Sequence, residues 1–190
     1  MKRKEFLTML SAAFLTAGAF GSETSSKKGG KMLVVYYSWS GNTKKVAEFI
    51  AKHTGADVLE LVPQTPYPSQ YSKTVEIARK EVNAKFKAPL KTPIPDLSKY
   101  DTIFVGSPNW WGTISSPIRT FLSDAELAGK SIAPFMTHEG SRMGRAVEDI
   151  KSICPKSKVL ESLAVRGGSV GGSEKTVAAW VGKISADSSK

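Results

Sequence analysis

Two rhythms of apolar residues alternate along the chain. Nearly unbroken apolar runs at 32–37, 100–107 and 131–137 predict strands buried on both faces. Between and after them, apolar residues recur at helical spacing. Val46, Ala47, Ile50 and Ala51 mark a helix over 43–53, and Tyr71, Val75, Ala78 and Val82 one near 69–83. Ile118, Phe121, Leu122 and Ala125 mark a third over 116–127. Met143, Ala146, Val147, Ile150 and Cys154 mark a fourth, and Val177, Trp180, Val181 and Ile184 a last one. Weaker runs at 57–62 and 158–166 complete five strands.

Punctuation refines these elements. Ser116 is the expected N-cap of the third helix, with Pro117 in its first turn and Gly129 closing it. Pro134 inside the fourth strand predicts a bulge or local irregularity. Prolines at 63–68 and 89–95 predict a break and a surface wrap. Gly167, Gly168, Gly171 and Gly172 predict a flexible link, and 185–190 a frayed tail. Strands alternating with helices imply an open parallel α/β sheet covered on both faces, in a single domain. Ligands of such sheets sit beyond the carboxyl ends of the strands, where strand order reverses. Three loops leave those ends: 38–43, 108–112 and 138–144.

The first loop, Ser38-Trp-Ser-Gly-Asn-Thr43, joins a strand to a helix N-terminus. Free N–H groups and the helix dipole there favour a phosphate, and Ser38, Ser40, Asn42 and Thr43 add side-chain hydrogen bonds. The loop has no basic residue and no G-x-x-x-x-G-K-[ST] or dinucleotide pattern, which argues against a nucleotide triphosphatase. A well-capped helix without a ligand is the plain structural alternative. The second loop, Pro108-Asn-Trp-Trp-Gly112, offers Trp110 and Trp111 as plates for a planar ring. At least one of the two indoles is expected in the core. The third loop, from His138 to Gly144, offers backbone groups to the polar edge of a ring. Phosphate at one end and aromatic plate at the other suggest a mononucleotide with a large heterocycle.

Net charge is +10 over the 190 residues, and removing residues 1–21 takes away three bases and one acid to leave 24 and 16, or +8. The lysines are scattered singly without aromatic interleaving, so no nucleic-acid partner is expected. Residues 1–30 read as an export signal and flexible linker: Lys2, Arg3 and Lys4, then an apolar stretch to Phe20 too short to span a membrane, with Ala17-Gly-Ala19 near its end. Cleavage near residue 21 leaves no stable membrane span and places the protein in the periplasm or outside the cell; an uncleaved anchor is the alternative. Arg3-Lys4-Glu5-Phe6-Leu7 is similar to a variant twin-arginine signal, beside the simpler reading of an ordinary basic head. Cys154 is the only cysteine, so no internal disulfide forms, and its place on the apolar helix stripe predicts a buried structural thiol.

Tyr36-Tyr-Ser-Trp-Ser-Gly-Asn-Thr43 resembles the phosphate loop of the flavodoxin family. Tyr100-Asp-Thr-Ile-Phe-Val-Gly, Pro108-Asn-Trp-Trp-Gly-Thr and Ala133-Pro-Phe-Met-Thr-His-Glu-Gly-Ser follow in that family's order, so residues 31–184 resemble its short, bacterial flavodoxin-like branch. The resemblance implies a flavodoxin-like three-layer sandwich with a five-stranded parallel sheet, strand order 2-1-3-4-5, holding FMN noncovalently. It implies that Ser38, Ser40, Asn42 and Thr43 bind the phosphate, with N–H groups from Trp39 and Gly41. Pro108, Asn109, Trp110, Trp111 and Gly112 would flank the isoalloxazine, and His138, Glu139, Gly140 and Ser141 its pyrimidine edge. The third loop lacks the family's tyrosine plate, with Met143 or His138 as substitutes.

The implied function is an electron carrier whose flavin cycles between oxidised, semiquinone and hydroquinone states, serving redox partner proteins. No catalytic acid–base pair and no metal are required. An FMN-dependent NAD(P)H quinone or nitro reductase is the alternative, although the sequence offers no separate nicotinamide site. A third reading is an exported binding module without flavin. Familiar flavodoxins are acidic and this chain is basic, so the second reduction of the flavin is expected at a less negative potential than in acidic relatives.

Overall fold

The structure, a computed structural model, describes residues 31–187. The expected export signal and the last three residues of the tail lie outside the described residues. The order of elements is β1 (Lys31–Tyr36), α1 (Asn42–Thr54), β2 (Asp57–Glu60), α2 (Tyr71–Asn83), β3 (Tyr100–Pro108), α3 (Ser116–Asp124), β4 (Ser131–His138), α4 (Ala146–Ile153), β5 (Lys158–Val159), β6 (Leu163–Arg166), a 3-10 turn (Gly167–Gly172) and α5 (Glu174–Asp187). All strand pairs are parallel, in the order β2-β1-β3-β4-β5 with β6 also on β4. This is the flavodoxin-like α/β sandwich with the expected strand order.

Side-chain alternation along β1 divides the core. Leu33, Val35 and Tyr37 face one layer with Ile103, Val105, Ile118, Phe121 and Ile150. Val34 and Tyr36 face the other with Val46, Ile50, Phe104, Phe135, Trp180 and Ile184. Both faces of the central strands are therefore apolar, as the unbroken runs required. Gly106 lies opposite Phe135 in the β3–β4 register, and any Cβ there would overlap the Phe135 ring.

Several local expectations are corrected. The fifth strand is two short pieces separated by residues 160–162, both paired with β4. Pro134 explains the break without a bulge. Leu160 donates to the Ile132 carbonyl, and Asn109 donates to the Thr137 carbonyl, so residues 132, 134 and 136 of β4 aim their backbone groups toward β5 and β6. Pro134, lacking an N–H, therefore faces the gap, while its register with Val105 of β3 is unbroken.

The glycine-rich link is the 3-10 turn 167–172, and 185–187 are the last turn of α5 rather than frayed tail. Ser115, not Ser116, is the N-cap of α3: its backbone is extended and its carbonyl accepts the first helical bond, from the Arg119 N–H, while its own N–H donates to the Ser107 hydroxyl. That helix stops at Asp124; Gly129, at φ +75°, turns the chain into β4 instead. Helix α4 begins at Ala146, since Ser141 to Met143 form a turn closed by the Gly144 and Ala146 N–H groups. The wrap after α2 is pinned by buried Ala88 and Leu97 and by a Pro63–Leu90 bridge.

Candidate functional site

The three strand-end loops meet in one cleft of about 880 Å³, within the roughly 300–1,000 Å³ usual for small-molecule sites. Of the residues singled out in the sequence, Trp39, Ser40, Asn42, Pro108, Asn109, Trp110, Trp111, Gly112, His138, Glu139, Gly140 and Ser141 line it. Ser38, Gly41 and Thr43 belong to the same turn but are not in the lining.

The first loop ends in an uncapped helix. Gly41, the N-cap, sits at φ +91° and has no side-chain cap bond, and the first helical bond runs from the Lys45 N–H to the Gly41 carbonyl. Ser38 Oγ instead accepts the Gly41 N–H at 3.1 Å, holding the loop's shape. Among the described residues no acceptor meets the N–H groups of Trp39, Ser40, Asn42 or Thr43. These open donors, at the positive end of a helix dipole and with no carboxylate in 38–43, form an anion cradle. The Thr43 hydroxyl is already engaged: it lies 2.8 Å from that of Thr137, both buried, and ties α1 to the end of β4.

The second loop is a two-residue hairpin. Trp110 and Thr113 exchange both backbone hydrogen bonds, at 2.9 and 3.1 Å, across Trp111 (φ +52°) and Gly112 (φ +82°). A left-handed tryptophan costs about 1 kcal/mol or more, so the turn must be held. Asn109 Oδ1 accepts the Gly112 N–H, and the Trp111 indole donates to the Val75 carbonyl at 3.0 Å. Below, the Asp149 carboxylate accepts from the Thr113 hydroxyl and lies 3.6 Å from Arg119 Nη2 and 3.4 Å from Arg145 Nε. The paired indoles divide as expected. Trp110 packs into the core edge-on to Tyr37 and Tyr67, with ring centroids 5.7 and 4.8 Å away, while Trp111 is half exposed.

The third loop is fastened to the second. The Asn109 amide donates to the Arg142 carbonyl, and the Arg145 N–H donates to the Gly112 carbonyl at 2.8 Å. Gly144, at φ +52°, lets the two backbones touch, because a Cβ there would overlap the Gly112 carbonyl. His138 Nδ1 is buried without a hydrogen-bond partner. Burial first, then the Arg142 charge, holds its imidazole below its ordinary pKa, so it is neutral near pH 7.

The sequence reading missed one wall. Tyr71, Thr74, Val75 and Ala78 of α2 line the cleft. Their helical spacing marks the helix, but spacing alone gives no sign that one side of it borders a ligand cleft. In fact Ala78 and Val82 are buried, whereas Tyr71 is exposed and stands 5.9 Å from Trp39. Trp39, whose indole donates to the Pro68 carbonyl, also presents a ring, beyond the backbone N–H expected of it. Met143 packs against the core and is not in the lining, so the third loop's missing plate is not replaced from there. Open backbone donors and aromatic walls lining the same cleft fit a flavin mononucleotide.

Comparison with known proteins agrees. Residues 31–184 match the family model described as flavodoxin. A candidate flavoprotein from Bacteroides uniformis superposes with TM-score 0.71 at 27% identity, covering 81% of this chain and 99% of that one. A flavoprotein from Lactobacillus acidophilus, solved in complex with FMN, does so with TM-score 0.61 at 28% identity, covering 77% and 99%. An NAD(P)H dehydrogenase (quinone) from Cupriavidus metallidurans is 39% identical over 99 residues, 50% of this chain. The aligned stretch spans 46% of that dehydrogenase, a little under half its length. The chain, by the length of the match and the cleft it builds, belongs to the flavodoxin family.

Proposed function

We propose that this protein is an FMN-binding electron carrier. The observation that carries this reading is the single cleft in which an uncapped helix N-terminus and half-exposed aromatic rings face the same space. When bound, FMN supplies one- and two-electron redox chemistry, and the protein supplies position and electrostatics. The N–H groups of Trp39, Ser40, Asn42 and Thr43, with the Ser40 hydroxyl and the Asn42 amide, would hold the phosphate. Trp111 would cover a ring face, and the 108–112 and 138–141 backbones would border the ring's polar edges. His138, kept neutral by burial, offers a hydrogen bond there without adding charge. Trp39 and Tyr71 exclude water from the mouth.

A second reading, an NAD(P)H quinone reductase, draws support from two observations. The cleft, about 880 Å³, extends from the ring-binding loops to α2, and the Cupriavidus relative carries that activity in its name. Anaerobic addition of NADPH to the purified yellow protein separates the two. A carrier keeps its visible spectrum, whereas a reductase bleaches within seconds and recovers its colour when a quinone is added. A protein with no flavin absorbance, even after FMN is supplied, contradicts both. We also infer from residues 1–21 that the protein works outside the cytoplasm; recovery of the full-length precursor in the cytoplasmic fraction would contradict that.

A further inference from the structure

Arginine and lysine are distributed differently in this molecule. The described residues contain five arginines, Arg79, Arg119, Arg142, Arg145 and Arg166. All five gather at the carboxyl end of the sheet. Arg119 and Arg145 converge on Asp149 beneath the second loop. Arg79 stands 5.8 Å from the Trp111 ring. Arg166 lies opposite His138 in the β4–β6 register, and the charges of Arg142 and Arg166 both reach that imidazole. The lysines are spread over the surface, and Lys44, Lys45, Lys52, Lys87, Lys99 and Lys183 each sit beside a carboxylate.

Arg79, Arg142 and Arg166 are exposed, and among the described residues none has a carboxylate at ion-pair distance. Glu139 is the single carboxylate in the cleft lining. Tyr71 and Trp111, two of the five large apolar side chains left exposed among the described residues, stand at the same mouth. Arginine, tryptophan and tyrosine together are the composition of protein–protein hot spots. Guanidinium forks match carboxylates bidentately, which a solvated lysine surface does not do.

We propose that this arginine-rimmed mouth is the docking face for an acidic redox protein. The proposal rests on FMN occupying the cleft. It adds the sign of the partner: Arg79, Arg142 and Arg166 meet a carboxylate-rich surface and bring its redox centre to the cleft opening. One electron then passes from reduced FMN to the partner, for a haem acceptor reducing Fe(III) to Fe(II), and no bond forms or breaks. Opposite charge also speeds encounter and makes it salt-dependent.

The test uses the holoprotein and cytochrome b5 as an acidic haem probe, with cytochrome c as a basic one. FMN content is read first, from the visible spectrum of every variant, so loss of flavin is seen separately from loss of docking. Docking is then read by calorimetric titration of the oxidised proteins, without electron transfer. Cytochrome b5 is expected to bind and to weaken about tenfold or more between about 20 and 300 mM salt, while cytochrome c does not bind. The triple variant R79E/R142E/R166E is expected to keep FMN and lose at least about tenfold in affinity. The triple variant K31E/K156E/K158E makes the same change in net charge at the opposite end of the sheet, and is expected to shift affinity less than about twofold.

Equal losses in the two variants would reduce the effect to net charge and overturn the proposal. So would preference for cytochrome c. Saturable binding of inorganic pyrophosphate at the rim, with none of cytochrome b5, would overturn it in favour of a small-anion site.

Discussion

Asp149 holds the second loop from below, through one hydroxyl and two guanidinium groups. Arg119 is the buried member, with its side chain 10% exposed against 27% for Asp149. Removing the carboxylate strands a guanidinium in the interior, which costs more than the pair itself is worth. Asp149→Asn is expected to lose about 2–3 kcal/mol in chemical denaturation, less than for a fully buried pair because Asp149 is partly solvated. It should also weaken FMN binding, since Thr113 no longer anchors the Trp111 turn; unchanged stability would show that the network is slack. Cys154 makes a second test. Burial pushes its thiol up to about 11, and its Sγ lies 3.5 Å from the Leu122 carbonyl. At pH 8 only about one thiol in a thousand is ionised, so a disulfide reagent should label native protein slowly, faster as pH rises, and at once in denaturant. Rapid labelling of native protein at pH 8 would contradict the burial.

At the scale of elements, the apolar runs and helical stripes carried most of the fold, because a parallel sheet buried on both faces leaves no other pattern for its central strands. What escaped them depended on partners distant in sequence. Pro134 was legible as an irregularity, but only the pairing of β4 shows that its missing N–H faces the 160–162 gap rather than β3. Placing proline one residue earlier reverses the situation, since Ala133 aims its N–H at β3. Ala133→Pro is therefore expected to cost about 3 kcal/mol or more, and Pro134→Ala less than about 1 kcal/mol, by equilibrium unfolding. Similar costs would mean that the break at β5 has another cause. The α2 wall was illegible for a related reason: one stripe serves the core with Val82, the cleft with Tyr71 and Val75, and both with Ala78, and spacing alone does not divide them.

Across the whole molecule, the sheet brings three loops from residues 38–43, 108–112 and 138–144 to one edge, and their motifs were readable because each is local. Hydroxyl-rich turn, paired indoles and Thr-His-Glu-Gly-Ser are contiguous in the chain. The braces between the loops were not. Asn109 spans Gly112 and Arg142, and Gly144 abuts Gly112, so these residues act by joining segments that only folding brings together. The central claim is that this edge grips FMN by its phosphate and its ring at once. Flavin fluorescence during titration of the apoprotein tests it most directly, with FMN and with riboflavin, which has the same ring and no phosphate. The expected result is 1:1 quenching by the protein, with FMN bound at least about 100-fold more tightly than riboflavin, as several charge-assisted hydrogen bonds would give. Equal affinity for the two flavins, or no quenching with either, would contradict it.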